Sequence, residues 1–333
     1  MKGRPALKVR TAKEKRGKQN MMYASREDII RMTPQWKGER MADGRPKVPQ
    51  DVLERMRRLT MEEVWGYAWS QGYEYQVVTD LKYTADPSQR LVGRAVTCTC
   101  VPFRQDLHEV CSELFKEAGY NLVSRGGYNK ALVQTLVEDD VIVIDFFDKV
   151  RYGTFVGGNL STAIKSKTKR GGAVIWGGLR DLDQIKHIDG LQLYYRGVDP
   201  TPIRDYVMTA TNMPTRIGPA VCLPGDIVFG AAGGIVFVPA HLAEITVVTA
   251  EKSQVRDIFG FERLADGTYT TQEIDVSPWP QHVWDDFMAW FKSSPKAESY
   301  RHLDFSDDIA KAQEILAKRA AGIEEEGKTR STV

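Results

Sequence analysis

The chain has 333 residues, 42% hydrophobic and 27% charged, which is the balance of a globular protein of one large or two modest domains and not of a disordered or fibrous one. A net charge of +2 argues against a chain built as a whole to bind nucleic acid. The most apolar stretch, residues 231–250, holds Pro239, His241 and Glu244, so it reads as strand, turn and helix and not as a membrane span.

In chain order, "MKGRPALKVRTAKEKRGKQ" carries eight Lys/Arg and one Glu with almost no large apolar residue. It is expected to be a solvated tail, or else an arm on a neighbouring subunit; no aromatics interleave with the charges as a nucleic-acid contact would need, and no apolar run follows to make a secretory signal. "SREDIIRMTPQW" predicts a short helix capped by Ser25, and "ERMADGRPKVP" a polar linker, so residues 1–50 are read as tail and linker. Asp51 is placed to cap "VLERMRRL", whose Val52, Met56 and Leu59 share a stripe; Thr60 and Glu63 have capping-box spacing before "VWGYAW".

From about residue 90 the pattern becomes α/β. "RLVGRAVTCTCV" reads as a strand, "DLHEVCSELFKEAG" and "YNKALVQTLVE" as helices, and "DVIVIDFF" as a strand covered on both faces. A helix in "LSTAIKSKTKRG" opens after a glycine pair; the strand "GAVIWGG", the short helix "LDQIKHI" and the strand "LQLYYRG" follow. "PAVCLPGDIVFGAAGGIVFVP" has strand and turn character, with Pro-Gly-Asp as the turn, and leads into a helix in "AHLAEITVVTAEKSQVRDI". "SPWPQHVWDDFMAWF" and "SDDIAKAQEILAKRAAGIEEEGK" predict two more helices, with the Trp-rich part packed on the core or on another subunit. The division that results is an α/β domain over 51–265 and a helical extension over 266–333.

Cys98, Cys100, Cys111 and Cys222 show no CxxC and no Cys/His spacing, so they are expected as buried thiols in a reducing, cytoplasmic compartment. His108, His187, His241, His282 and His302 are scattered, no GxSxG occurs, and neither phosphate-binding glycine motif is present, so no nucleophilic triad or nucleotide loop is expected. Two places remain. Gly157, Gly158, Asn159 and Leu160 lie between a strand and a helix start, where free backbone N–H groups and the helix dipole suit an anion. Arg180 and Asp181 in "GGLRDLDQIK" follow the next strand; there an arginine can clamp a carboxylate and an aspartate can hold a magnesium-like ion that keeps most of its waters. One helix and one strand separate the two segments, a crossover that can bring both to one sheet edge. The residue types alone also allow a tight turn at the first place and a surface ion pair at the second.

The segments "LVGRAVT", "DDVIVID", "GGNLSTA", "GGAVIWGGLRD" and "LPGDIVFGAAGGIVFVP", between 93 and 239, resemble in order and spacing the family of the regulator of ribonuclease activity A, which includes metal-dependent 4-hydroxy-4-methyl-2-oxoglutarate aldolases. The resemblance implies a layered core of the swivelling β/β/α type, to which this chain adds helices at both ends. It also implies a homotrimer or homohexamer with the site at the subunit boundary. It further implies that Asp181 holds Mg²⁺ or Mn²⁺, that Arg180 binds a small substrate's carboxylate, and that the backbone of Gly157, Gly158, Asn159 and Leu160 receives the anionic end. On this footing the expected activity is a carbon–carbon lyase, an aldolase or a decarboxylase, and the alternative is a regulator that docks on another protein. Two departures stand out: the aldolases resemble one another in an Asp twenty residues before the Arg-Asp pair, where this chain has Asn159, and the Asp that often follows the Pro-Gly-Asp turn is Ala231. Retention of Asp181, which the regulators typically lack, favours the enzyme. By position, Glu251 matches the acid that the family draws from a neighbouring subunit.

Overall fold

The computed structural model describes residues 22–84, 88–122 and 127–322; the basic tail lies outside them. The chain enters through α1 (Arg26–Met32), where Ser25 and Asp28 form a reciprocal capping box. α2 (Gln50–Met56) buries Val52, Leu53 and Met56. Asp51 does not cap this helix: Pro49 holds the cap position, and Asp51 sits inside the first turn, where its charge faces the positive end of the dipole. α3 (Met61–Ser70) opens on the expected capping box of Thr60 and Glu63.

Two short strands, β1 (Val77–Val78) and β2 (Lys82–Tyr83), precede the alternating run of β3 (Leu91–Pro102), α4 (Gln105–Glu117), α5 (Tyr128–Gln134), β4 (Asp140–Val156), α6 (Gly158–Thr168), β5 (Gly172–Leu179), α7 (Leu182–Ile185) and β6 (Gln192–Val198). Then come β7 (Tyr206–Thr211), β8 (Thr215–Ile217), β9 (Ala220–Cys222), β10 (Ile227–Ala231) and β11 (Gly234–Val238), followed by α8 (Ala243–Ala265), α9 (Thr271–Ile274), α10 (Gln281–Ser293) and α11 (Ser306–Ala320). The main sheet runs β1-β11-β10-β3-β4-β5-β6-β2, with β7 also on β3. Its centre, β3 to β6, is parallel; the flanking pairs are antiparallel. A parallel centre is covered on both faces, and Val141, Ile142, Val143 and Ile144 of β4 are accordingly all at 0% exposure.

On one face, Phe115, Tyr128, Leu132 and Ile164 from the helices pack on Ile142, Ile144, Ile175 and Leu193. On the other, Val141, Val143, Val174 and Tyr194 meet Ile217, Ala220 and Cys222 of the small β8–β9 ribbon. A helical layer, a large sheet and a small second sheet thus make the β/β/α layering. α2, α3 and α8 cover the β10–β11 flank through Val52, Leu53, Val64 and Val247. The Trp-rich segment closes a separate cluster in which Trp279, Trp284, Phe287, Trp290 and Phe305 pack on Val255 and Phe259 of α8. Tyr194 and Tyr195 are core residues, whereas Trp176 is half-buried with Arg196 stacked 4.4 Å from its ring.

The stretch read as a polar linker is a strap whose centre, Gly44 to Pro46, is buried. Arg45, 3% exposed, meets the fully buried Asp140 through two bonds of 2.8 and 3.1 Å and also bonds Asp43. Two charges are tolerated there because each satisfies the other bidentately. Gly225 of the Pro-Gly-Asp turn has φ +87°, and a Cβ there would lie 2.4 Å from Cδ of Pro46 in the strap, so only glycine fits. Next to it, burial pushes the Asp226 carboxyl up from 3.8 to about 7, against the opposing pull of the Leu223 and Ala240 amides. Between these values the folded chain keeps a proton that the unfolded chain has released, so this group's contribution to stability falls as pH rises from about 4 to 7 and is level above. Asp226→Asn, which is neutral at every pH and can still accept from the Leu223 N–H, is expected to gain on the parent by something on the order of 2 kcal/mol across that window. Thermal midpoints from pH 4 to 8 check this; parallel curves for the two proteins would refute it.

Candidate functional site

β4 and β5 run parallel and end level, with Val156 opposite Leu179. The chain leaves β4 through Gly157 straight into α6, and leaves β5 through Arg180 and Asp181 into the single turn of α7. The Arg180 N–H donates to the Val156 carbonyl at 3.0 Å, which ties the two exits together. Ligands of open α/β sheets bind at such carboxyl ends.

Asp181 has φ +59°, a left-handed conformation that Asp tolerates better than most side-chain-bearing residues. The bend turns its carboxylate back toward the start of α6, where the Gly158 N–H donates to Oδ2 at 3.1 Å. Nε of Arg180 lies 3.6 Å from the same oxygen, and the two side chains are 42% and 34% exposed, so both remain reachable. The glycine pair makes this approach possible. A Cβ on Gly157 would stand 2.4 Å from Oδ2 of Asp181 and 2.9 Å from Nε of Arg180, and one on Gly158 would stand 2.4 Å from Oε1 of Gln184. Backbone conformation is not the reason at Gly157, whose φ of −132° suits any residue.

Helix α6 begins at Gly158, three residues before the expected start near Ser161. Its Ser161 N–H already reaches the Gly157 carbonyl, so the amides of Asn159 and Leu160 are the first-turn donors left over at this end. The Asn159 side chain is exposed; that of Leu160 packs on the core, so Leu160 offers the site its backbone only. The structure therefore brings Gly157, Gly158, Asn159, Leu160, Arg180 and Asp181 to one sheet edge. Sequence reasoning missed Gln184, whose amide lies across the opening of α6; its place three residues after Asp181 on a helical turn was the available signal.

For a cation, the donor set is one accessible carboxylate. Among the described residues no group of three or more His, Cys, Asp or Glu side chains converges. That fits a hard ion of the magnesium type, which keeps several waters and needs one or two carboxylates, and does not fit a zinc site. Within its own chain Glu251 faces α2 and the extension, taking bonds of 2.8 and 2.5 Å from Arg55 and lying 3.1 Å from His302. His108 lies 3.1 Å from the Tyr128 hydroxyl, and all four cysteines are free and buried. No helix among the described residues is long and apolar enough to cross a membrane.

A family model described as "RraA-like: Aldolase/RraA" matches residues 68–237. Among solved structures, the chain is similar to RraAS2 of Streptomyces coelicolor, described as an unusual member of the RNase ES inhibitor RraA protein family, at 21% identity over 65% of this chain and 100% of that one, with a TM-score of 0.54. It is similar also to an uncharacterized protein of Pseudomonas syringae pv. tomato, at 20% identity over 68% of this chain and 94% of that one, again with a TM-score of 0.54. At these identities the likeness concerns the fold. No curated protein matches the sequence.

Proposed function

The chain belongs to the RraA-like family, and from that premise we propose that it is a divalent-metal-dependent lyase that breaks a carbon–carbon bond in a small keto or hydroxy carboxylic acid. One observation carries the reading: Arg180 and Asp181 stand side by side at the joined ends of β4 and β5, against the open amides of α6. Arg180 clamps the substrate carboxylate through its planar fork, and the Asn159 and Leu160 amides with the dipole of α6 add to the hold on negative charge. Asp181 would hold Mg²⁺ or Mn²⁺, largely through waters, with Oδ2 steadied by Gly158. Such an ion supplies Lewis-acid stabilisation of the charge that develops on the substrate oxygen. Asn159 is neutral and cannot take the hydroxyl proton that retro-aldol cleavage must remove. Decarboxylation of a β-keto acid needs no such base, so it is the favoured form of the reaction. The working assembly in this reading is a cytoplasmic homotrimer or homohexamer.

The test is a panel of 2-keto and β-keto acids, oxaloacetate among them, with Mg²⁺ or Mn²⁺ and then with EDTA. Release of CO₂ and pyruvate that EDTA stops is the expected result. Arg180→Ala is expected to lower kcat/KM for carboxylate substrates about 10- to 100-fold, the worth of a charged hydrogen bond; an unaltered value would remove its role. The presence of Asn159 where the aldolases have Asp favours a second reading, a non-catalytic protein that docks on another protein. An absence of both turnover across the panel and metal binding by calorimetry would select it.

A further inference from the structure

At the opposite end of β4 from Asp181, the strap, the starts of β3 and β4 and the entry to α8 enclose a cleft of about 890 Å³. Arg94 lines it and is only 6% exposed. Its Nη2 donates to the Glu138 carbonyl at 2.6 Å, its Nε–H has no acceptor, and no carboxylate among the described residues lies within ion-pair distance. The neighbouring acids are spent elsewhere. Asp139, the other buried charge of the lining, is held by Arg57 and Arg170, and Asp140 by Arg45. Asp139 and Asp140 act on Arg94 through space without bonding it, so the floor of the cleft keeps a buried guanidinium with an unused N–H, a state that burial alone does not favour. At the rim the charges are exposed and mixed: Glu39 pairs with Lys47, Glu138 with Lys169, and Lys37 and Glu244 stand apart, so water screens them. Trp36, Val48 and Ala243 supply apolar wall.

We propose that this cleft is a second binding site, for a small organic oxyanion whose carboxylate or phosphate pairs with Arg94 and whose apolar body lies along Trp36 and Val48. It is separate from the lyase site and does not depend on that reading. A guanidinium binds either oxyanion through parallel N–H donors, so two probes distinguish the sources: benzoate and phenyl phosphate, with neutral benzyl alcohol as the control. In calorimetric titration of the full chain, at least one anion is expected to bind saturably with a Kd on the order of 1 mM, and the alcohol not at all. Arg94→Met, which keeps the bulk and removes the charge, should weaken that binding at least about tenfold. Val137→Trp, a change at an exposed lining position that narrows the mouth and leaves Arg94 intact, should weaken it too. Arg180→Ala should bind the probes as the parent does, which separates this site from the other. The proposal is overturned if neither anion saturates the parent protein, if the alcohol binds as well as the anions, or if Val137→Trp or folded Arg94→Met binds unchanged.

Discussion

Asp181→Ala is expected to lose metal-dependent turnover by a factor of about 10²–10³ or more while the protein stays folded, since groups that stabilise developing charge are worth that much. The side chain is one-third exposed and its one described hydrogen bond comes from Gly158, so its removal strands no buried partner charge. Alanine at φ +59° adds strain of about 1 kcal/mol, which a stable fold absorbs. Asp181→Asn controls for that strain, because Asn accepts the left-handed bend and can still take the Gly158 bond; its neutral amide is the poorer partner for a hard cation, and it too should fail. Calorimetry with Mn²⁺ should show binding lost in both variants. Turnover within about twofold of the parent in the Asn variant would remove Asp181 from the mechanism.

One added methyl group should do nearly as much. Gly157→Ala puts a Cβ where Oδ2 of Asp181 and Nε of Arg180 now stand. The backbone there accepts alanine, so the fold has no reason to yield; the two flexible side-chain ends must move instead. A displacement of about 1 Å in a catalytic constellation costs on the order of 10²-fold, and kcat/KM is expected to fall that far with the thermal midpoint almost unmoved. Gly66→Ala in α3, where nothing lies within 4 Å of the new carbon, is the matched control and should keep full activity. Equal activity in Gly157→Ala would mean that neither side chain is needed where it stands.

The parts of the fold that were legible are those with strong local physics. The unbroken apolar run of β4, the alternation of strands with helices from β3 to β6, the Ser25 cap and the Thr60–Glu63 capping box all announce themselves in the residues. The meeting of the two candidate segments was legible from topology, since a strand–helix–strand crossover of that length brings both exits to one end of the sheet, while the residue types alone fitted a tight turn and a surface ion pair equally well. What stayed hidden depends on partners distant in sequence. Arg45 looks like any charge in a polar linker until Asp140 is brought to it. β1, β2 and β8 are two or three residues long and carry no periodicity, and β7 is a strand because β3 offers it an edge. The start of α6 hides in the sequence because glycine is a poor helix former; the need for Asp181 to approach outweighs that propensity.

Strand β3 takes three different partners along its length: β10 beside Leu91 to Arg94, β4 beside Arg94 to Thr99, and β7 beside Cys98 to Pro102. Two of these partners are made long after β3 itself, since Val92 waits for Phe229 and Val101 for Val207. During synthesis the emerging chain therefore carries β3 with an unsatisfied edge until most of the sheet has left the ribosome. Such late, long-range closure is slow and exposes an edge to other chains. Both centres described above depend on it: β3 supplies Arg94, and it backs the strand whose far end receives Asp181. In a cell, the supply of working protein will follow from how well that one edge is sheltered before its partners arrive.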